Sequence, residues 1–145
     1  MNCENMIFLS IPVTVQKIES NAFTGCVNLC NIAGGTSQVE LGEAVYRSTN
    51  ILEARISEQQ QMIGQSLFFD CRDLASVYLP EGVKYIDRLA FAQCPDLKEL
   101  RLPNSVEQIA SNAFDGSENL VLIYKGIPYS YEERHKIPIM VEVTD

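Results

Sequence analysis

The chain has 145 residues, 46% of them hydrophobic, and a formal net charge of −8 from 11 basic and 19 acidic side chains. This is enough apolar material for one domain with a core, and the charge excludes a nucleic-acid role, which needs a basic stripe. No apolar run reaches the roughly 18 residues of a membrane span.

In chain order, Cys3, Asn5, Met6, Leu9 and Ile11-Pro12 come first, leading into Val15, Ile18, Ala22-Phe23, Cys26, Leu29 and Ile32. A degraded copy follows: Leu41, Ala44-Val45, Ser48, Asn50 and Ile51, with one residue deleted between Leu41 and Ala44. The next has Ile56, Ile63, Leu67-Phe68, Cys71, Asp73, Leu74 and Val77. Leu79-Pro80 to Leu100 and Leu102-Pro103 to Ile123 are the clearest copies: [IL]-P-x-x-V-x-x-I-x-x-x-A-F-x-x-[CS]-x-[DN]-L-x-x-[IL]. The cassette is 23 residues long and written five times. A period of this size marks a solenoid, in which each unit buries its apolar face only against its neighbours.

The slots have physical meanings. L-x-x-[IL]-x-[IL] alternates, as a strand with one buried face does. Strands are expected near 7–11, 30–33, 52–56, 75–79, 98–102 and 121–125, stacked as one parallel sheet of about six. Pro12, Pro80 and Pro103 end strands because proline lacks an N–H. The Ala-Phe segment is expected to be a short helical turn on the other side, with Phe23, Phe68, Phe91 and Phe114 plugging the core. Asn5, Asn28, Asn50, Asp73, Asp96 and Asn119 precede the strand leucines. Such residues accept left-handed turn geometry. The column supplies one side chain per repeat, too few oxygens for calcium. Gln38 and Gln60 occupy a valine slot; Val39 and Met62 beside them are expected to enter the core over a shifted backbone.

The fold expected is therefore a right-handed α/β repeat solenoid over residues 1–126. Residues 127–145 form a C-terminal cap of strand, short helix and strand, with Ser130 as the helix N-cap ahead of Glu132 and Glu133. The array starts in mid-repeat, which reads as a fragment of a longer array. Its open first strand, Met6 to Ile11, invites a weak homodimer or disorder over the first five residues.

Four of the five cysteines, Cys3, Cys26, Cys71 and Cys94, share a slot that Ser48 and Ser117 also fill, so small free thiols are expected there; Cys30 has no slot. Without C-x-x-C, and with His135 as the one histidine, zinc is not expected. His135 lies in a polar run, Gly34-Gly35 falls in a turn, and no phosphate loop or nucleophile elbow is present. The reading is no enzyme, no cofactor and no metal.

The cassette resembles the BspA-type leucine-rich repeat, also found in treponemal leucine-rich repeat proteins. The resemblance covers Cys3 to Ile123, and the tail from Tyr124-Lys125-Gly126 to Val143 is similar to segments that close such arrays. It implies a leucine-rich repeat solenoid, bacterial or protozoan origin, a surface location and adhesion to proteins or cells. No signal peptide is legible, so the expected location is extracellular or cell surface for a piece of an exported protein and cytoplasmic for a complete one.

A ligand would meet the open sheet face. Its two columns are read as Phe8, Asn31, Glu53, Ser76, Glu99, Leu122 and Ser10, Ala33, Arg55, Tyr78, Arg101, Tyr124. Arg55, Tyr78, Arg101 and Tyr124 alternate on successive rungs, where each guanidinium could stack on a phenol, with Glu53 and Glu99 alongside. Arg and Tyr are prominent interface residues. The functional reading is a noncatalytic module for a protein ligand. A glycan-binding module, a structural spacer and a self-satisfied solubilising ladder are its alternatives.

Overall fold

The computed structural model describes Cys3, residues 5–34 and residues 39–143. The chain winds as a solenoid of about five turns with parallel strands. One stack contains β1 (Phe8–Ile11), β3 (Asn31–Gly34), β5 (Glu53–Arg55), β7 (Ser76–Tyr78), β9 (Glu99–Leu102) and β11 (Val121–Tyr124), each within an expected segment or one residue of it. Pairing is parallel within β1–β3, β5–β7 and β9–β11. Between β3 and β5, and again between β7 and β9, the regular ladder is interrupted. Across the first gap the Leu52 N–H still bonds the Cys30 carbonyl, 3.3 Å.

The expectation of one sheet is too few. The return path carries a second stack: β2 (Lys17–Ile18), β4 (Glu40–Leu41), β6 (Met62–Ile63), β8 (Tyr85–Ile86) and β10 (Gln108–Ala110). Its pairing is also parallel, β2–β4 and β6–β8–β10. Both stacks turn apolar side chains inward, as Ile18, Ile63, Ile86 and Ile109 do from the second.

The expected helical turns do not form either. In the Ala-Phe segments, alternate N–H groups bond the next repeat rather than their own turn. Phe23 donates to the Val45 carbonyl (3.0 Å), Tyr46 to Leu67 (3.1 Å), Phe68 to Ala90 (2.9 Å) and Phe91 to Ala113 (2.8 Å). Two residues on, Gly25, Ser48, Asp70 and Gln93 do the same towards Arg47, Phe69, Ala92 and Asp115. An α-helix would spend those N–H groups internally. Aiming them sideways requires left-handed residues before and after: Asn21, Ala44, Ser66 and Leu89 on one side, Gly25, Ser48, Asp70, Gln93 and Gly116 on the other. The left-handed positions thus lie around the aromatic slot. The Asn/Asp column, assigned left-handed geometry from sequence, keeps negative φ and sits in turns closed by bonds such as Leu29 N–H to the Cys26 carbonyl, 2.9 Å.

Stacked turns stack their rings. Phe23, Tyr46, Phe68, Phe91 and Phe114 form one column with centroids 5.3–6.1 Å apart and planes within 17°. Phe68, Phe91 and Phe114 are fully buried, whereas Phe23, expected to be so, is half-buried with a ring neighbour on one side. Tyr46 takes the slot assigned to Val45. The second repeat is thus in phase through Tyr46, and its deletion falls later, between Thr49 and Ile51.

The same shift moves the cysteine slot from Ser48 to Thr49, which is buried. The slot is a hydrogen-bond donor position. Cys71 Sγ donates to the Tyr46 carbonyl (2.9 Å), Cys94 Sγ to Phe68 (3.1 Å) and Ser117 Oγ to Phe91 (2.6 Å), each one repeat back. All five cysteines are free thiols. Cys30, half-buried at the start of β3, points its thiol at the Ile7 carbonyl, 3.4 Å.

The glutamine slot behaves differently from expectation. Gln38 lies outside the described residues. Gln60 is itself buried, Met62 is 48% exposed, and only Val39 enters the core. The Gln60 amide accepts from the Leu41 N–H (3.0 Å) and donates to the Leu41 and Met62 carbonyls (3.2 and 2.7 Å). It therefore bonds β4 to β6 where the second stack has no ladder. Gly34, placed in a turn from sequence, is a strand residue in register with Ile11; Gly35 lies outside the described residues.

The tail runs β12 (Ile127–Ser130), a 3₁₀ turn (Arg134–Lys136) and β13 (Met140–Val141). Lys125 and Gly126, both at positive φ, make a two-residue turn that folds β12 back antiparallel on β11. β13 joins the second stack beside β10. Ser130 does not cap this turn, whose N-cap is Glu133; its Oγ accepts from the Glu133 N–H at 3.3 Å in the turn before it. His135 is exposed there, its Nδ1 2.8 Å from the Glu132 carbonyl.

Two outcomes follow from this packing. Phe91→Ala opens a hole between two fully buried rings and should cost about 3–5 kcal/mol in urea denaturation. Burial pushes the Cys71 thiol from 9.0 up to about 11, and burial together with the Cys3 thiol does the same for Cys26. A raised thiol pKa means that folding favours the neutral form. That contribution is complete below about pH 9 and is lost as pH rises to about 11. Urea midpoints at pH 8 and 10.5 should show the loss, and Cys71→Ser, which copies Ser117, should reduce it.

Candidate functional site

On the outer face of the first stack, side chains alternate with those of the core. Register places Glu53 with Ser76 and Arg55 with Tyr78 on neighbouring strands. Arg55 Cζ lies 4.4 Å from the Tyr78 ring centroid, so the expected Arg–Tyr stack is present at that rung. It does not repeat. Arg101 turns instead to Glu99 on its own strand, Nε to Oε1 3.1 Å, with both side chains largely exposed. Glu53 is exposed beside Arg55, and neither makes an ion pair among the described residues.

Tyr124 is a correction. It is only 8% exposed and pairs with Leu102, a core position. Ile123 stands opposite Arg101 and Val121 opposite Glu99, so Leu122, assigned to the outer face, points inward. The last repeat is one residue shorter between Leu120 and its strand, and a one-residue slip exchanges the two faces. Leu120, Leu122 and Ile123 are all apolar, so the pattern alone left the phase open. The usable signal was Lys125-Gly126, a two-residue hairpin turn that anchors the strand from its other end. The outer row is therefore Ser10, Arg55, Tyr78, Arg101 and Ile123, with Ala33 at the same register on β3.

Below Arg55 and Tyr78 the wall opens. A cavity of about 320 Å³ runs inward from this rung to Tyr46, Ile18 and Leu41. Its signal in the sequence was Ala54, a small residue in a slot that otherwise holds aliphatics.

The winding, the repeat slots and the buried ladder define a leucine-rich repeat protein. More narrowly, the model of the BspA type leucine rich repeat region matches residues 1–121 in 6 copies, and the chain belongs to that family. A leucine-rich repeat protein of T. pallidum is 32% identical over 83% of this chain and 57% of its own, with a TM-score of 0.76. The pneumococcal vaccine antigen PcpA (24% identity, 86% and 34% covered, TM-score 0.74) shares the fold. So does a leucine rich cell surface protein of Faecalibacterium prausnitzii A2-165 (21%, 85% and 42%, TM-score 0.65). The chain spans less than two thirds of each of these proteins. No curated protein matches it.

The corrected row separates two tyrosines. Tyr124→Ala should cost about 3 kcal/mol because it removes a buried ring. Tyr78→Ala, on a half-open rung, should cost under about 1 kcal/mol. Paired thermal melts measure the difference; equal losses would put both rings on one face.

Proposed function

We propose that this chain is a noncatalytic protein-interaction module of a bacterial cell-surface protein, binding its ligand through the outer row of the first stack. The observation that carries the reading is the Arg55–Tyr78 contact, 4.4 Å, on an exposed sheet face with Arg101, Glu53 and Glu99 beside it. Arg and Tyr dominate binding energy at protein interfaces. The surface location rests on relatives: one neighbour is a cell surface protein and another a vaccine antigen. A glycan platform fits less well, since with Tyr124 turned inward Tyr78 is the one aromatic ring left on the Arg55–Ile123 part of the row. The strand edge of β1 offers a second partner, another copy of the chain, with Ile7 and Phe8 exposed at 63% and 56%.

The test is capture by immobilised chain from a surface-protein extract of host cells, followed by the purified captured protein in a binding titration. Tyr78→Ala and Arg101→Ala should each weaken it tenfold or more, while melting stays nearly unchanged. Binding untouched by both, with melting lowered, leaves a solubilising ladder and defeats the reading. Light scattering on the same preparation should show dimers that dissolve in Phe8→Lys; monomers at all concentrations would refute the β1 edge.

A further inference from the structure

Along the first stack, the core position of Leu9, Ile32, Val77 and Leu100 is filled by Ala54 on β5. The position of Ile11, Ile56, Leu79 and Leu102 is filled by Gly34 on β3. The short side chain of Ala54 leaves space, and Ala54 lines the cavity of about 320 Å³. Its inner wall is apolar: Ile18, Ile32, Val39, Leu41 and Ile56, with Tyr46 from the ring column. Its mouth is polar: Glu53, Arg55, Ser57, Ser76 and Tyr78.

We propose that this cavity binds a small monoanionic amphiphile, an alkyl or aryl carboxylate, with its apolar body inside and its carboxylate on Arg55. Three features select that class. The wall residues come from both stacks, and packed sheets lie about 10 Å apart, so an extended body fits better than a short side chain of a partner. A dry cavity of about 150 Å³ already takes benzene, and pockets for small ligands start at about 300 Å³. Arg55 lies over the Tyr78 ring, Cζ 4.4 Å from its centroid, without an ion pair among the described residues, whereas Arg101 is engaged by Glu99. A guanidinium in that state keeps its N–H edge for a planar pair of oxygens. Glu53 on the same mouth repels a second negative charge and limits the head to a monoanion. The site needs no protein partner, so it stands or falls apart from the interaction reading.

The experiment is isothermal titration of the whole chain with sodium octanoate, below its micelle concentration, and with octan-1-ol. Octanoate should bind saturably at one site, and tighter than octanol. Arg55→Gln should weaken octanoate about tenfold and leave octanol unchanged. Ala54→Leu, or the milder Ala54→Val, should fill the space and abolish both, with the melting temperature held or raised. No saturable octanoate binding to the wild type overturns the proposal. So does octanol binding as tightly as octanoate, or binding that survives in a folded Ala54 variant. If both Ala54 variants misfold, the wild-type and Arg55→Gln titrations still decide.

Discussion

Backbone N–H groups of residues 21, 23 and 25 bond the turn at 43, 45 and 47, those of 44, 46 and 48 bond 65, 67 and 69, and the pattern continues up the array. Buried amides need partners, and for these alternate positions the partner is the next repeat. Much else in the chain follows from that commitment. The aromatic slot is fixed in height, so rings stack in a single column. Residues flanking it must be left-handed, which puts Gly25 and Gly116 where a helix would have no use for them. The carbonyls opposite retain a free lone pair, and a small donor at the cysteine slot fills it. Cys and Ser exchange there because each carries a donor that reaches one repeat back, whereas Thr49 donates within its own repeat to Tyr46.

This explains which parts of the fold were legible. The period, the strand segments and the ring slots of three repeats all stood in the sequence, because repeated burial repeats residue types. The helical turns were misread because Ala-Phe flanked by polar residues has the composition of a helical turn. What decides against it is the lateral hydrogen bonding, which leaves its mark in φ and not in hydrophobicity. The second stack went unseen for a related reason. Its strands are two or three residues long, below the length at which alternation can be recognised.

The outer face was legible as far as the repeat kept its phase. Glu53, Arg55, Ser76 and Tyr78 fall where counting from Leu74 and Ile51 places them. Tyr124 fails because a single deletion before β11 exchanges inside and outside, and apolar residues on both faces of β11 hide the change. Arg101 was placed correctly, but its partner was not: a carboxylate two residues away on the same strand competes with the ring on the next rung, and ion pairing won.

Apart from the deletion before β11 and the break between β7 and β9, the irregularities of this array gather in one place. Gly34, Ala54, Gln60, the deletion after Thr49 and the break between β3 and β5 all belong to the second and third repeats. A solenoid tolerates this because each turn is stabilised by its neighbours alone, so the regular turns around Phe91 and Phe114 do not depend on it. Such a defect would be costly if its polar groups were left open. Instead, the Gln60 amide replaces the absent strand bonds by accepting and donating at Leu41 as a neighbouring strand would. The gap between β3 and β5 keeps the Leu52–Cys30 bond. The space left at Ala54 opens beside the guanidinium of Arg55, which makes no ion pair among the described residues. Lost apolar volume beneath an exposed cation is what sets the second and third repeats apart from the closely packed turns that follow.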